Sequence, residues 1–218
     1  MARSRIRPEP PRISEPDVAE DLAEAPLTRS GEVRDARIAL PPGSTDAAHS
    51  RLDGSIIASG AVDSLDLSGA ILSDVAVDGL SAVEVIARDS TWRTVVIRGG
   101  RIGTLDLSRA RMDGVLLDGV RVEYLSLSAA VLLDVEITGC RIGTLDAPGA
   151  RLERVRITES QVEEFDSREL QLRDLDLRGL DALSFTDIRA LRGATLTDAQ
   201  VAAHARALAI AVGIDVQD

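Results

Sequence analysis

The side chains best suited to catalysis or metal binding are few and widely spaced in this sequence. It contains two histidines, His49 and His204, and one cysteine, Cys140. No His–Asp, His–Glu or Cys–His spacing is typical of a metal site or a nucleophilic triad. No glycine-rich loop precedes a helix, so nothing predicts a phosphate site. We therefore predict a non-enzymatic protein with no catalytic residue, metal site or cofactor.

The elements that would position any site follow a five-residue period, which is typical of neither a strand nor a helix. One apolar column consists of Leu67, Leu72, Val77, Ile97, Ile102, Leu107, Met112, Leu117, Val122, Leu127, Leu132, Ile137 and Ile142. Two residues earlier in each pentad, large apolar residues at every tenth position from 65 to 175 alternate with mostly smaller ones. Two apolar positions in every five residues predict side chains that share one core.

A longer period of twenty residues is superimposed on the pentads. In the large column, Leu or Phe recurs at 65, 105, 125, 145 and 165, and Val at 75, 95, 115, 135 and 155. Glycine recurs at 79, 99, 119, 139 and 179, as a corner with an unusual backbone conformation would require. Four pentads per turn predict a square coil whose turns stack and bury each other's inward side chains.

Several pentads carry a family motif, with a small first residue and a central Leu or Phe. AILSD at 70–74, AVLLD at 130–134 and ARLER at 150–154 resemble the repeat of the pentapeptide-repeat family. The resemblance covers residues 53–188 and implies an all-β fold, a right-handed quadrilateral β-helix. Trp92 stands where Leu is expected, and we interpret it as a local bulge or an enlarged coil. Cys140 falls at a small inward position, which predicts a place in the core.

The ends of a stacked coil expose strand edges, which need covers. Residues 29–52 are predicted to form an irregular first coil that covers the N-terminal end. Residues 189–218 contain a predicted α-helix with Thr197 as N-cap, Gln200 as its capping-box partner and Gly213 as the stop. The helix carries an apolar stripe, which either closes the last coil or forms a homodimer. This stripe consists of Val201, Ala205, Leu208 and Val212.

Residues 1–28 are rich in proline and charge, which predicts a disordered, solvated tail. They lack the apolar segment of a signal peptide, and no window of the chain approaches the length of a membrane span. A single cysteine cannot form an internal disulfide, as is typical of a reducing compartment. These features predict a cytoplasmic protein with no membrane contact.

Outward-facing residues are the candidate binding positions, because the predicted interior is filled. The predicted partner-binding residues are Asp66, Asp106, Asp146 and Asp166, the apolar pair Val96 and Leu116, and Tyr124. Ala76 precedes the apolar pair by one coil, and Arg101, Arg121 and Arg141 form a further outward ladder.

The net charge of the chain limits the class of molecule that it can bind. A formal net charge of −11 argues against direct binding to nucleic acid. We predict a rigid scaffold that binds another protein. The family resemblance implies an alternative, because some pentapeptide-repeat proteins mimic DNA and bind DNA gyrase in its place. Residues 63–188 contain 23 acidic residues and 14 arginines, which corresponds to about half the charge density of duplex DNA.

Overall fold

The computed structural model describes residues 7–217, in which two parallel sheets wind around one core. The strands are β1 (Ala23–Glu24), β2 (Glu32–Arg34), β3 (Ala36–Ile38), β4 (Ser44–Asp46), β5 (Arg51–Ile57), β6 (Gly60–Asp66), β7 (Ile71–Asp78), β8 (Leu80–Ile86), β9 (Thr91–Arg98), β10 (Arg101–Asp106), β11 (Arg111–Asp118), β12 (Arg121–Ser126), β13 (Val131–Thr138), β14 (Arg141–Asp146), β15 (Arg151–Thr158), β16 (Ser160–Asp166), β17 (Gln171–Asp176) and β18 (Leu180–Phe185). One sheet, which we call the odd sheet, consists of the odd-numbered strands together with β2. The other, which we call the even sheet, consists of the even-numbered strands from β4 to β18. Each sheet supplies one strand to every regular coil.

Strand pairing establishes the coil length. From β5 onwards, neighbouring strands pair in parallel at an offset of twenty residues, as in Met112 with Leu132 and Leu105 with Leu125. The solenoid has about eight coils, and the fold class predicted from the five-residue period is confirmed. The first coil is irregular, because β2 and β3 pair with β5 at an offset of nineteen residues, as in Glu32 with Arg51.

Three corners use left-handed backbone conformations in most of the coils. Positive φ values recur at residues 49, 69, 89, 109, 129, 149 and 169, at residues 54, 74, 94, 114, 134, 154 and 174, and at residues 79, 99, 119, 139 and 159. The predicted glycine corner is therefore confirmed for residues 79, 99, 119 and 139. Gly179 has a different role, because a Cβ there would lie 2.8 Å from the Cα of Thr158.

The two apolar columns fill the interior, and most of their side chains are fully buried. Trp92 is 2% exposed and stacks in register between Leu72 and Met112. The interpretation of Trp92 as a bulge or an enlarged coil is wrong, because β9 keeps the twenty-residue offset on both sides. The surrounding side chains accommodate the indole without a change in coil length.

The C-terminal end is covered by a 3-10 turn at Ile188–Leu191 and by two short helices, α1 (Asp198–Ala203) and α2 (Ala205–Ala211). The predicted capping box between Thr197 and Gln200 is present. The predicted single helix is interrupted at His204, whose ring meets that of Phe185 at a centroid distance of 4.9 Å. Gly213 follows α2 with a φ of +86°, as expected for a helix stop.

The N-terminal segment, which we define as residues 7–22, was predicted to be part of a disordered tail over residues 1–28. In the structure it follows an extended course along the odd sheet, without strand pairing. Residues 1–6 lie outside the described residues. The segment differs from the sequence expectation because half-buried apolar residues alternate along it with exposed polar ones, so one of its sides can pack on the solenoid.

Candidate protein-binding surfaces

The four predicted aspartates lie on one ladder of the even sheet. Asp146 and Asp166 are directly opposite each other in neighbouring strands. Ser126 lies between Asp106 and Asp146, and Asp66 lies two coils before Asp106. The twenty-residue spacing thus predicted their common ladder correctly.

Three of these carboxylates serve the corners of their own coils, and Asp66 does so by accepting the backbone N–H of Ser68 at 2.8 Å. Asp106 accepts a hydrogen bond from the backbone N–H of Ser108 at 2.9 Å and forms an ion pair with Arg88. Asp166 accepts the backbone N–H of Arg168 at 3.1 Å and also pairs with the guanidinium of that residue. Such Asx turns stabilise tight changes of chain direction. Because Asp106 and Asp166 are each 9% exposed, the ladder presents less negative charge than its composition suggests.

Neighbouring arginines help to lower the pKa values of the Asp106 and Asp166 carboxyl groups. The hydrogen bond from Arg168 is the main cause that lowers the pKa of Asp166, against an opposing effect of burial. Burial is the largest influence at Asp106 and would raise its pKa, but hydrogen bonds from Ser108 and Arg88 together lower it. Both carboxylates are therefore held in the charged form, as partners of neighbouring cations.

Tyr124 and Asp146 are brought together on the even sheet. Burial is the main cause that raises the pKa of the Tyr124 phenol, and a hydrogen bond with Asp146 adds to it. Asp146 also accepts the hydroxyl of Ser126 at 3.1 Å. Tyr124 is 40% exposed, so its ring is accessible to a partner.

The arginine face, which we define as Arg101, Arg121 and Arg141, lies on the same sheet as Tyr124, which follows Arg121 by three residues in β12. These residues are directly opposite one another in β10, β12 and β14. Arg101 donates a hydrogen bond to Glu123 at 2.9 Å. Within residues 7–217, Arg121 and Arg141 form no ion pair. Sequence reasoning found this ladder by its spacing but did not select it as a binding site, because the pairing of its charges depends on the folded chain.

The apolar strip, which we define as Ala76, Val96 and Leu116, lies on the odd sheet. These residues are neighbours in β7, β9 and β11 and face away from the core, as the period predicted. The expectation that the strip is exposed is wrong for two of them. Val96 has no exposed surface and Ala76 is 8% exposed, whereas Leu116 is half-buried.

The N-terminal segment passes over this side of the odd sheet. The backbone N–H of Asp17 donates to Asp74 at 3.3 Å. Glu15 accepts a hydrogen bond from Arg98, two residues after Val96, at 2.6 Å. The segment therefore crosses the coil that contains Val96, which explains why this outward side chain is buried.

The same segment continues towards the C-terminal end of the solenoid. The backbone N–H of Arg12 donates to the Asp134 carboxylate at 2.9 Å, and Arg154 forms a bidentate pair with the same carboxylate at 2.7 and 2.8 Å. Farther along, Pro8 lines a surface cleft together with Arg178 and Thr197. The segment thus runs along most of the rod.

The predicted stripe on the C-terminal helices is only partly used to close the last coil. Val201 is 44% and Val212 is 75% exposed, and Ala205 is also exposed. Leu208 is half-buried. The core at this end is closed by the buried Leu191, and the side-chain amide of Gln200 donates to two carbonyl oxygens of the last coil at 2.6 Å.

The remaining chemically capable side chains are dispersed. Cys140 is buried, and burial raises the pKa of its thiol. Across residues 7–217, no group of three or more His, Cys, Asp or Glu side chains could hold a metal ion. Among the same residues, none of the helices has the length and apolar character needed to span a membrane.

The solved structures similar to this chain include two of trypsin-treated single-substitution variants of QnrB1, a plasmid-mediated fluoroquinolone resistance protein. The first is 19% identical, covers 86% of this chain and 100% of its own, and has a TM-score of 0.33. The second is 14% identical, covers 90% of this chain and 100% of its own, and has a TM-score of 0.29. No family model and no curated protein matches the chain.

The chain's own periodicity and strand register define its class. Apolar columns at intervals of five residues and parallel pairing at an offset of twenty residues make it a parallel β-solenoid with four five-residue repeats per coil, and these repeats resemble those of the pentapeptide-repeat family.

Proposed function

We propose that this chain is a non-catalytic scaffold that acts by binding another protein through its even sheet. The observation that carries the proposal is the arginine face, three arginines opposite one another on a sheet that also exposes Tyr124. Arg and Tyr are enriched among the residues that dominate protein interfaces. Stacked strands hold these side chains about 4.8 Å apart, so a partner meets a rigid surface.

The charges of the arginine face favour an acidic partner segment. Like charges directly opposite each other in neighbouring strands repel. Arg101 is neutralised by Glu123, but Arg121 and Arg141 have no ion pair within the described residues. Carboxylates of a partner would stabilise these two guanidinium groups by charge-assisted hydrogen bonds. A reducing, cytoplasmic setting agrees with the single buried cysteine.

Capture from an extract of the source cells tests this proposal. The variant Arg121→Glu/Arg141→Glu reverses two charges of the arginine face. The control Arg111→Glu/Arg151→Glu makes the same change at exposed positions of the odd sheet. We expect the wild type and the control to retain a common protein that the first variant loses. Equal capture by all three, or no specific capture by any, would overturn the proposal.

The alternative is a DNA mimic that binds DNA gyrase. It is favoured by the net charge of −11 and by the adjacent pair Asp146 and Asp166. The ion pairs of Asp106 and Asp166 and the arginine face reduce the resemblance to a continuous line of phosphates. Plasmid supercoiling by DNA gyrase, with the chain titrated in at two salt concentrations, decides between the two. Inhibition that weakens as salt rises would favour the mimic.

The C-terminal helices offer a second contact, and we propose that they form a homodimer. Val201, Ile210 and Val212 are exposed there, although their apolar surface would be more stable when buried. Analytical ultracentrifugation should show a dimer that Val212→Asp dissociates and that Val83→Asp, a control on the even sheet, leaves intact. A monomer for the wild type would refute this contact.

A further inference from the structure

We propose that the apolar strip is a docking groove for an extended, proline-containing acidic peptide. In this chain the N-terminal segment occupies the groove, and a peptide of the same chemistry from a partner would bind there when the segment is displaced. The inference rests on the proposed scaffold function and adds a second, regulated binding surface on the odd sheet.

The groove is defined by where outward apolar side chains are buried. Val96 has no exposed surface, although it points away from the core. On the even sheet, which the segment does not cover, the outward residue Val83 is 68% exposed. The cover on the strip is therefore specific to one side of the solenoid.

The segment matches the solenoid in length. Its contacts with Asp74 and Asp134 are made by Asp17 and Arg12, five residues apart. Asp74 and Asp134 are separated by three coils, or about 14 Å at the spacing of neighbouring strands. Five residues in a polyproline II conformation span about 15 Å. An extended chain can thus follow the strip without slack, with a polar anchor at each end.

The composition of the segment suits this conformation. Proline pre-forms the extended chain, so that less conformational entropy is lost on docking. Half-buried apolar residues face the solenoid and exposed polar residues lie between them. The half-buried set consists of Pro8, Pro11, Ile13, Pro16, Val18 and Leu22. A partner peptide with the same alternation would present the same apolar side.

The acidic character of the ligand is set by Arg98. Its guanidinium donates to the Glu15 carboxylate, and the two side chains are 38% and 71% exposed. A pair this exposed contributes little stability, but it selects the charge and the register of the peptide. A carboxylate at the position of Glu15 is therefore part of the ligand class.

The N-terminal segment is held on the solenoid by few polar contacts, so a peptide can replace it. It has no strand pairing, and its polar anchors to the solenoid include two backbone amides and one exposed ion pair. Regions with few buried contacts open locally at a small fraction of the free energy of global unfolding. The segment can thus leave the groove while the stacked coils stay folded.

The test uses the full chain with a specific protease site in place of exposed residues 19–21. After folding, the chain is cut, the released segment is removed by dialysis, and a fluorescent peptide of residues 7–18, RPEPPRISEPDV, is titrated in. Fluorescence anisotropy should show saturable binding to the cut chain and none to the uncut chain. Equal binding to both, or a cut segment that neither leaves nor exchanges with the labelled peptide, would overturn the proposal.

Matched variants establish where the peptide binds. Leu116→Glu should weaken binding at least about tenfold because it places a charge in the apolar strip. Val83→Glu, on the even sheet, should leave binding unchanged. Arg98→Glu should weaken binding about twofold to fivefold, because it reverses one charge of the Arg98–Glu15 pair. A peptide that carries Glu15→Arg should bind this variant as well as the original peptide binds the wild type. Unchanged binding in Leu116→Glu would refute the site.

This experiment contains no partner from the cell, so its result is separate from the capture test. Peptide binding without cellular capture would support the groove and refute the scaffold interaction through the arginine face. Capture that depends on Arg121 and Arg141, without peptide exchange, would support the scaffold and refute the groove.

Discussion

At the scale of single residues, several carboxylates stabilise the solenoid itself. Asp106 and Asp166 close corners and pair with arginines. Asp134 has a left-handed backbone, accepts the amide of Arg12 and pairs with Arg154. The number of acidic residues therefore overstates the negative surface that a partner meets.

The Asp134 pair predicts a pH-dependent stability. The hydrogen bond from Arg154 is the main cause that lowers the pKa of Asp134. Burial acts in the opposite direction, and the hydrogen bond from the Arg12 amide lowers the pKa further. A lowered folded pKa means that the stabilisation is present above the ordinary value of 3.8 and is lost as the pH falls through the folded pKa. We expect Asp134→Ala to lower the melting temperature at neutral pH and the difference from wild type to shrink in acid. Thermal unfolding by circular dichroism measures both.

The control for this prediction is Asp113→Ala, an exposed position on the same sheet. It should leave the melting temperature close to wild type at both pH values. An Asp134→Ala variant no less stable than Asp113→Ala would show that the buried pair contributes nothing.

Trp92 is the single tryptophan of the chain and reports on the core. It is 2% exposed, so its fluorescence should be blue-shifted until the solenoid unfolds. Trp92→Ala should cost about 3–5 kcal/mol because it leaves a cavity. Trp92→Leu should cost less, since leucine suits this column and the variant removes a buried indole N–H that has no hydrogen-bond partner. Denaturant unfolding of both variants is the measurement, and equal losses would contradict the account.

At the scale of elements, the regular strands could be predicted from the sequence and the covers only in part. The five-residue columns specify which residues face inward, and the twenty-residue spacing specifies the ladders. The Thr197 capping box was also predictable, because its residues are close in sequence. The docking of Glu15 on Arg98 was not predictable, since it joins residues 83 positions apart and a proline-rich composition indicates a solvated chain. The burial of Val96 was missed for the same reason.

Gln200 should hold the C-terminal cover in place. Its side-chain amide donates to the carbonyl oxygens of Leu177 and Leu180, and its backbone N–H donates to Thr197. Gln200→Ala should therefore increase hydrogen exchange across α1 and α2 while the central strands stay protected. Loss of the cap in Thr197→Ala should cost about 1 kcal/mol. Gln161→Ala, at an exposed position of β16, is the control. Unchanged exchange in Gln200→Ala would show that the helices are held by other contacts.

At the scale of the whole molecule, each coil is stabilised by its neighbours. Contacts between strands join coils that are adjacent in the stack, as expected for a repeat protein whose stability is a sum of neighbour interactions. Deletion of residues 111–130 joins Ala110 to Val131, which takes the place of Arg111 at the same phase of the coil. The shortened chain should remain a cooperatively folded β protein by circular dichroism and thermal unfolding.

Deletion of residues 126–130 alone is the matched control. Removal of five residues moves every later side of the square onto the neighbouring side, so large and small inward residues would exchange places in the stack and the left-handed corner at Gly149 would meet a strand position. We expect this shorter deletion to destabilise the chain more than the deletion of twenty residues does. The reverse order would contradict the twenty-residue coil.

Hydroxyl-radical footprinting of the free and the partner-bound chain tests whether a partner binds the even sheet. Tyr124, which is 40% exposed on the same sheet as the arginine face, should be strongly protected in the complex. Protection at Tyr124, lost together with binding in Arg121→Glu/Arg141→Glu, is the predicted result. A bound chain in which Tyr124 reacts as in the free chain would contradict the claim.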